Sequence, residues 1–381
     1  MAAASAPVVN GGTAVEPPEE NKAVAAASAA LVLAAVPCPW SAAVAERYER
    51  REKMGQGMFG DVYRAWDRVD GRFVAVKRLA GRTGGGFVQA GIRDFAREAM
   101  SLAACRGHPS AVELLATYAD SAHGDGDCFL VTGYAGPMNL RQYMALRRRE
   151  GPPLDEDEVR DAMRQLLAGV RRAHGAGVLH RDVVPVNVIV GQEDVIVGGV
   201  RVGRKMVYRI CGFGVSEPAA QAEKDGSGPL ASPAPYRAPE LFLFSNDYDG
   251  RVDTWGLGCI MAELLAGTGD PFFGGKLDTE VFERMLRVVG AKGIINWSGL
   301  ERVAATDRAD YLRKHCRKER GCLREVFPRE VLLPAGFKVL KGLLQSNPER
   351  RLTAAAALRK PWFRRPGFGG CFVPCGGGAS P

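Results

Sequence analysis

The segment that most constrains how this chain folds is residues 180–187, which read His-Arg-Asp-Val-Val-Pro-Val-Asn. A predicted amphipathic helix precedes it, beginning at Asp155, where Glu158 completes a capping-box pattern, and ending at Gly175. An apolar, strand-like run follows Asn187 directly. An acid and an amide on a loop between a helix and a strand are typical of a catalytic loop, where the acid orients a hydroxyl group and the amide ligates a metal ion.

Residues 55–62 form a glycine-rich run, Gly-Gln-Gly-Met-Phe-Gly-Asp-Val. Its glycines let a backbone loop approach phosphate groups closely, but dinucleotide-binding folds share them. A later strand ends in Val-Ala-Val-Lys at residues 74–77, where a dinucleotide site requires an acid instead. The sequence therefore predicts that Lys77 contacts phosphates and that Glu98, on the next helix, is its ion-pair partner. Taken singly, either residue would be an ordinary solvated side chain.

The strand and helix patterns divide the chain into a β-rich first part and a helical second part. Residues 51–79 read as three strands, separated by the glycine-rich run and by an Asp70-Gly71 hairpin signal. A helix is predicted around residues 92–104 and a buried strand at residues 128–132. After two glycines that predict a flexible connection, the pattern is helical to about residue 365.

One segment does not fit this division. The sequence Asn-Val-Ile-Val-Gly at residues 187–191 is nearly repeated as Asp-Val-Ile-Val-Gly at residues 194–198. Both copies lie in what reads as an elongated hairpin. We interpret the repeat as a local duplication within a loop and not as an architectural repeat.

The composition restricts the compartment and the partners of the chain. Nine cysteines without paired spacing, out of 381 residues, predict a reducing, intracellular location, in the cytoplasm or nucleus. The apolar stretch at residues 23–36 is too short to span a bilayer, and acids precede it, unlike in a secretory signal. The net charge of +8 fits acidic or phosphorylated partners, and equally a basic surface without such a role.

Three further motifs lie in the helical part, at residues 236–240 (Tyr-Arg-Ala-Pro-Glu), 252–258 and 347–351. Together with the motifs above they resemble the eukaryotic protein kinases over roughly residues 48–365. Within these kinases the chain resembles the cyclin-dependent kinases and their relatives, the CMGC group. The arginine at position 237, the residues around 166–167 and 178–180, and an insert between about 297 and 328 carry this second resemblance.

The resemblance implies an α+β, two-lobed protein kinase fold over residues 46–366. A small β-rich N-lobe with one main helix spans about 46–132, and a larger helical C-lobe spans about 137–366. An Ala/Pro-rich leader of residues 1–45 and a Gly-rich tail of residues 367–381 are expected to be disordered.

The resemblance also assigns roles to individual residues, with ATP and magnesium as cofactors. The catalytic residues are then Asp182, Lys77 and Glu98, and the metal ligand is Asn187. The expected ATP-binding residues are Met54, Gly55, Gly57, Gly60, Val62, Ala75, Lys77, Thr132, Gly133 and Ala135. The expected structural residues are Leu102, His180, Arg181, Phe213, Glu240, Asp253 and Arg351. In this scheme Thr132 is the gatekeeper before the hinge, Glu240 pairs with Arg351, and Asp253 braces the catalytic loop.

Two residues depart from the family pattern. Gly212 stands where the family carries its main magnesium-binding aspartate, and Val184 stands where serine/threonine kinases usually carry a lysine that neutralises the transferring phosphoryl group. Loss of one such charge contact lowers turnover about 10²- to 10³-fold. We therefore expect weakened magnesium binding and activity lower by several orders of magnitude. Asp194, in the hairpin, is not expected to replace the missing acid.

These departures leave two functions open, with a non-kinase enzyme as a remote third. The first is a pseudokinase that acts by binding or regulating a partner protein. The second is an active serine/threonine kinase of low or specialised activity toward protein substrates. Little of the cyclin-binding signature remains beyond Arg97 and Glu98, so cyclin dependence is doubtful. No nucleic acid or membrane is expected as a partner, and Ser227, beside the usual phosphorylation position, is expected to be an ordinary loop serine.

Overall fold

The computed structural model describes residues 40–57, 60–79, 87–119, 127–219, 232–303, 310, 312–314, 316 and 318–364. Nearly all of these residues fall in one unit of the chain, Ala43–Pro381. Most of the predicted leader, the predicted tail and Ser227 lie outside the described residues. Helix α1 (Ala42–Arg47) begins before residue 46, where the kinase domain was predicted to start.

The first part of the larger unit is an antiparallel sheet with the strand order β1-β2-β3-β5-β4. Its strands are β1 (Tyr48–Gly57), β2 (Gly60–Asp67), β3 (Arg72–Leu79), β4 (Leu114–Ala119) and β5 (Cys128–Gly133). Strand β4 was not predicted, because its residues are only half-buried or exposed and its sequence does not alternate clearly between apolar and polar.

Helix α2 (Phe87–Ala104) is the one long helix of this part and begins five residues before its predicted start. It contacts β4, β5 and a single 3-10 turn, Phe213–Val215. Leu102, on its inner face, is 1% exposed and belongs to the main hydrophobic core. The helix thus joins the sheet to the segment that follows the glycine at position 212.

Most of the remaining chain is helical. The helices are α3 (Leu140–Glu150), α4 (Glu156–Gly175), α5 (Pro239–Phe242), α6 (Arg251–Ala266), α7 (Asp278–Val289), α8 (Lys292–Ile295), α9 (Leu300–Val303), α10 (Leu323–Val326), α11 (Pro334–Leu343) and α12 (Ala354–Leu358). Helix α4 begins with the predicted capping box, in which the Asp155 side chain accepts hydrogen bonds from the backbone of Asp157 and Glu158. Helix α6 is buried along most of its length and forms the centre of this part. The predicted α+β fold, β-rich and then helical, is confirmed.

Two smaller sheets lie in the helical part. The first has the strand order β6-β8-β9 and the second pairs β7 with β10. Their strands are β6 (Met138–Asn139), β7 (Val178–Leu179), β8 (Val188–Val197), β9 (Val200–Ile210) and β10 (Glu217–Pro218). Strands β8 and β9 form the elongated hairpin. In the part of the chain that the structure describes, no helix is both long and apolar enough to cross a membrane.

A buried ion pair ties α5 to the loop before α12. Arg351 donates from Nη1 and Nη2 to the two carboxylate oxygens of Glu240, each at 2.7 Å. The side chains are 0% and 1% exposed, and the Arg351 guanidinium also lies 5.1 Å from the centre of the Trp255 ring. Because both charges are out of water, each depends on the other for stabilisation.

We predict that Glu240→Gln lowers the free energy of unfolding by about 3–5 kcal/mol, because it leaves the Arg351 charge buried without its counterion. Urea denaturation followed by circular dichroism measures this loss. The matched control is Asp247→Asn, which breaks the ion pair of Asp247 with Arg302, whose side chains are 64% and 68% exposed. This control should leave the midpoint unchanged. Equal losses in the two variants would contradict the prediction.

Candidate active site

The register of the first sheet places the predicted nucleotide-binding residues next to one another. Gly55 on β1 pairs with Val62 on β2, and Val62 pairs with Lys77 on β3. Ala75 on β3 pairs with Thr132 on β5. The two sets of pairs lie two residues apart along β3, because Ala75 and Lys77 are separated by Val76. Residues two apart on a strand point to the same face of the sheet, so these residues share one face, beneath which a nucleotide can lie.

Gly60 has to be a glycine for two independent reasons. Its φ is +121°, a conformation that side chains disfavour. A Cβ atom at this position would lie 2.0 Å from the carbonyl oxygen of Arg78 on β3. The start of β2 therefore lies directly against β3, while residues 58–59, at the tip of the turn, are not described.

Lys77 and Glu98 form the predicted ion pair. The Lys77 ammonium donates to Glu98 Oε2 at 2.5 Å, and the side chains are 16% and 5% exposed. Because Glu98 lies on α2, this contact holds the helix against the sheet. It places the lysine charge under β3, where the phosphates of a nucleotide would lie.

The predicted hinge leaves the sheet at the end of β5. The backbone N–H of Gly133 donates to the carbonyl oxygen of Glu113 at 2.9 Å, and the residues 132–135 are half-buried. Arg64, two residues after Val62 on β2, lies with its guanidinium 3.7 Å from the centre of the Phe73 ring and 5.4 Å from that of Tyr134. This cation–π stack was not predicted. It covers the hinge at Tyr134.

Asp253 braces the catalytic loop. One carboxylate oxygen accepts the backbone N–H of His180 at 2.9 Å, and the other accepts that of Arg181 at 2.7 Å. His174, on α4, contacts the same carboxylate at 2.8 Å. Burial alone would raise the pKa of Asp253, but the hydrogen bonds from His174 and the loop hold it below its ordinary value. These bonds stabilise Arg181 at a φ of 66°, which is strained for a side chain of this size.

Asp182 and Asn187 are hydrogen-bonded to each other. Asn187 Nδ2 donates to Asp182 Oδ2 at 2.7 Å and to the Asp182 carbonyl oxygen at 2.9 Å. Asp182 Oδ1 is buried and accepts no hydrogen bond from any described residue. Burial raises the pKa of the Asp182 carboxyl, so it retains its proton to a higher pH than an ordinary aspartate. An unsatisfied carboxylate oxygen of this kind is suited to receive a hydroxyl group.

Gly212 lies directly against Asn187. Its φ of +79° is in the left-handed region, and a Cβ atom there would lie 2.4 Å from Asn187 Oδ1 and 2.6 Å from Asn187 Cγ. The amide of Asn187 therefore fills the space in which an aspartate side chain at position 212 would begin. An aspartate at position 212 would fit only if the Asn187 side chain moved away.

The residues present do not fit a magnesium ion held by its usual anionic ligands. Magnesium in phosphate sites is bound by one or two carboxylates together with the phosphates. Among the residues that the structure describes, no group of three or more His, Cys, Asp or Glu side chains could hold a metal ion. Asn187 Nδ2 already occupies one oxygen of Asp182, and Gly212 supplies no ligand.

Asp194 cannot supply the missing carboxylate. Its side chain pairs with Arg201 at 3.1 Å and with Arg204 at 3.3 Å, within the β8–β9 hairpin. Seven residues of extended strand separate it from Asn187, a distance of about 23 Å. The sequence expectation that this acid lies away from the site agrees with its position.

Two side chains beside the site, those of Val184 and Cys211, carry no charge at neutral pH. Val184, at the usual lysine position, is 2% exposed and packs into the main hydrophobic core. Burial raises the pKa of the Cys211 thiol to about 12, so this thiol, next to Gly212, stays protonated at neutral pH. Val184 therefore cannot neutralise a phosphoryl group, and the protonated thiol of Cys211 is not a nucleophile.

Of the predicted spine residues, Leu102 and Phe213 belong to one hydrophobic core, and His180 is buried beside it, with its ring 4.5 Å from that of Phe213. The sequence did not reveal a second set of contacts in the same place. The hydroxyl groups of Ser101 and Ser216 lie 2.7 Å apart, joining α2 to the segment after Phe213.

The next residue along the chain, Glu217, binds the catalytic loop. Its carboxylate pairs with the Arg181 guanidinium, and the Tyr248 hydroxyl lies 3.2 Å from both groups. The side chains of Arg181 and Glu217 are each 8% exposed. We call the contacts of Ser101, Ser216, Arg181, Glu217 and Tyr248 the loop clamp. It holds α2, the catalytic loop and the segment 213–217 together in an assembled arrangement.

The comparisons with known proteins agree with this geometry. Residues 48–363 match the family model for the protein kinase domain. The chain is 43% identical over 325 residues to a protein of Oryza sativa subsp. japonica named cyclin-dependent kinase F-2, covering 84% of this chain and 90% of that protein. It is 31% identical to cyclin-dependent kinase G-2 of Oryza sativa subsp. indica, of which it covers 42%. It is 30% identical to cell division control protein 2 homolog 1 of Trypanosoma brucei brucei, of which it covers 99%.

The matched region contains the sheet with the Lys77–Glu98 pair, the braced loop with Asp182 and Asn187, and the buried Glu240–Arg351 pair. This chain therefore belongs to the protein kinase family, and within it to the serine/threonine kinases that resemble the cyclin-dependent kinases.

Proposed function

We propose that this chain is a pseudokinase, which binds a nucleotide in an assembled kinase cleft and acts by binding or regulating a partner protein inside the cell. The position of Asn187 against Gly212 carries this proposal. The remaining amide ligand is hydrogen-bonded to Asp182 and fills the place of the missing acid. Phosphoryl transfer therefore lacks both the main metal ligand and, because of Val184, the usual cation beside the phosphoryl group.

Two observations favour the alternative, a serine/threonine kinase of low activity toward protein substrates. The Lys77–Glu98 pair is formed and Asp182 Oδ1 is free to accept a hydrogen bond from a substrate hydroxyl. A cleft assembled in this way could still position ATP for slow transfer. Cyclin dependence remains doubtful under either proposal.

The experiment that separates the two functions is the transfer of radiolabelled phosphate from ATP to a generic protein substrate. We predict that the wild-type chain transfers no more label than Asp182→Asn. Gly212→Asp should raise turnover by about 100-fold or more, since it restores an anionic metal ligand. Label that appears with the wild type and disappears in Asp182→Asn would contradict the proposal and favour the active kinase.

The matched control for this gain is Gly212→Asn. Asparagine has nearly the same size as aspartate and tolerates the same left-handed backbone, so it displaces the Asn187 side chain equally. It supplies no negative charge. A gain with Gly212→Asp that is absent with Gly212→Asn is therefore assigned to the charge, and equal turnover in both variants would rule out this explanation.

We predict that the loop clamp keeps the cleft assembled. Glu217→Gln removes the counterion of a buried arginine, so amide hydrogen exchange should rise in residues 94–104 and 213–218. Asp247→Asn, in an exposed ion pair, is the control and should leave exchange in both segments unchanged. Exchange in Glu217→Gln that matches the wild type would show that the clamp does not hold these segments.

A further inference from the structure

The far end of the β8–β9 hairpin exposes four large aliphatic side chains. Ile196, Val197 and Val200 are 64%, 63% and 65% exposed, and Val202 is 43% exposed. The first copy of the repeated sequence behaves differently, since Val188 and Val190 are 1% and 2% exposed. The valines of the first copy are thus buried in the core, while Ile196 and Val197 of the second copy are exposed to solvent. We call residues 195–200 the hairpin tip.

Each face of the hairpin tip carries at least one exposed aliphatic side chain. Val197 pairs with Val200 across the two-residue turn, and Ile196 pairs with Arg201. Successive residues of a strand point to opposite faces, so Ile196 lies on one face and the valine pair on the other. A docking protein that adds a strand, or that offers one flat surface, would cover a single face or edge and leave the other exposed.

A belt of charged residues follows the hairpin tip on both strands. Asp194 pairs with Arg201 and Arg204, and Glu193 pairs with Lys205 and Arg209. Four cations thus share two carboxylates, which leaves an excess of two positive charges. The side chains of Arg201, Arg204 and Lys205 are 42%, 51% and 53% exposed and can reach an external anion.

We propose that the hairpin tip inserts into the surface of an anionic lipid membrane. Lipid chains surround an inserted element and so cover Ile196 on one face and the valine pair on the other at once, which a single protein surface does not. The positive belt then lies among the negative headgroups. The apolar residues from Val195 to Gly198 extend about 10 Å, which matches the depth reached by interfacial anchors. This proposal departs from the expectation that no membrane is a partner, and it does not depend on whether the cleft is active.

The test is co-sedimentation of the full chain with phosphatidylcholine vesicles, prepared with and without phosphatidylserine. The wild type should bind the vesicles that contain phosphatidylserine, and less strongly as salt is added. The double variant Val197→Asp with Val200→Asp should lower the bound fraction by about tenfold, since it places charge where apolar surface is needed. Arg204→Glu should weaken binding to the vesicles that contain phosphatidylserine and should not change binding to vesicles of phosphatidylcholine only.

The matched control is Val69→Asp, which changes a valine that is 73% exposed in the turn between β2 and β3. This variant should bind vesicles as the wild type does. No binding of the wild type to phosphatidylserine vesicles would overturn the proposal, as would equal losses in Val69→Asp and the double variant. Sedimentation velocity is measured on the same proteins. A dimer that the double variant dissociates, without vesicle binding by the wild type, would assign the hairpin tip to self-association instead.

Discussion

The buried carboxylate of Asp253 is the contact on which the arrangement of the cleft depends. It accepts the backbone of His180 and Arg181 and contacts His174, so that α4, α6 and the catalytic loop meet at one charge. The loop can adopt the strained conformation at Arg181 only because these bonds offset its cost. Asp182, the next residue, takes its position from them, and Asn187 takes its own from Asp182.

Gly212, at the position where the kinase family carries an aspartate, contacts this chain of hydrogen bonds at Asn187. With only a glycine there, the Asn187 side chain approaches the backbone of residue 212 and donates to Asp182. Around the contact of Gly212 with Asn187, the other contacts of the cleft are formed. They are the Lys77–Glu98 pair, the spine and the loop clamp. The structure thus combines an assembled cleft with a glycine at the position of the family's magnesium-binding aspartate, which is the physical basis for proposing binding without efficient transfer.

Much of this could be predicted from the sequence, because the signals are local. Strand and helix patterns predicted the order of most elements, and the resemblance of the motifs to the protein kinases implied the fold. The order of Lys77 and Glu98 on successive elements predicted their ion pair. Strand β4 and helix α3 were missed for lack of a clear period or a recognised start. The Ser101–Ser216 contact joins residues 115 positions apart, and no periodicity reveals such a pair. The response of Asn187 to Gly212 and the exposure of the hairpin tip also depend on three-dimensional packing alone.

A pseudokinase that lacks the magnesium-binding aspartate should bind nucleotide without the help of magnesium, and isothermal titration calorimetry with ATP tests this most directly. Titrations of the wild type and of Gly212→Asp are compared in excess magnesium and in a chelator. The account predicts that the Kd of the wild type is the same in both conditions within about twofold, while Gly212→Asp binds more tightly with magnesium. A wild-type Kd that falls by about tenfold or more when magnesium is added, a gain of about 1.4 kcal/mol, would contradict it.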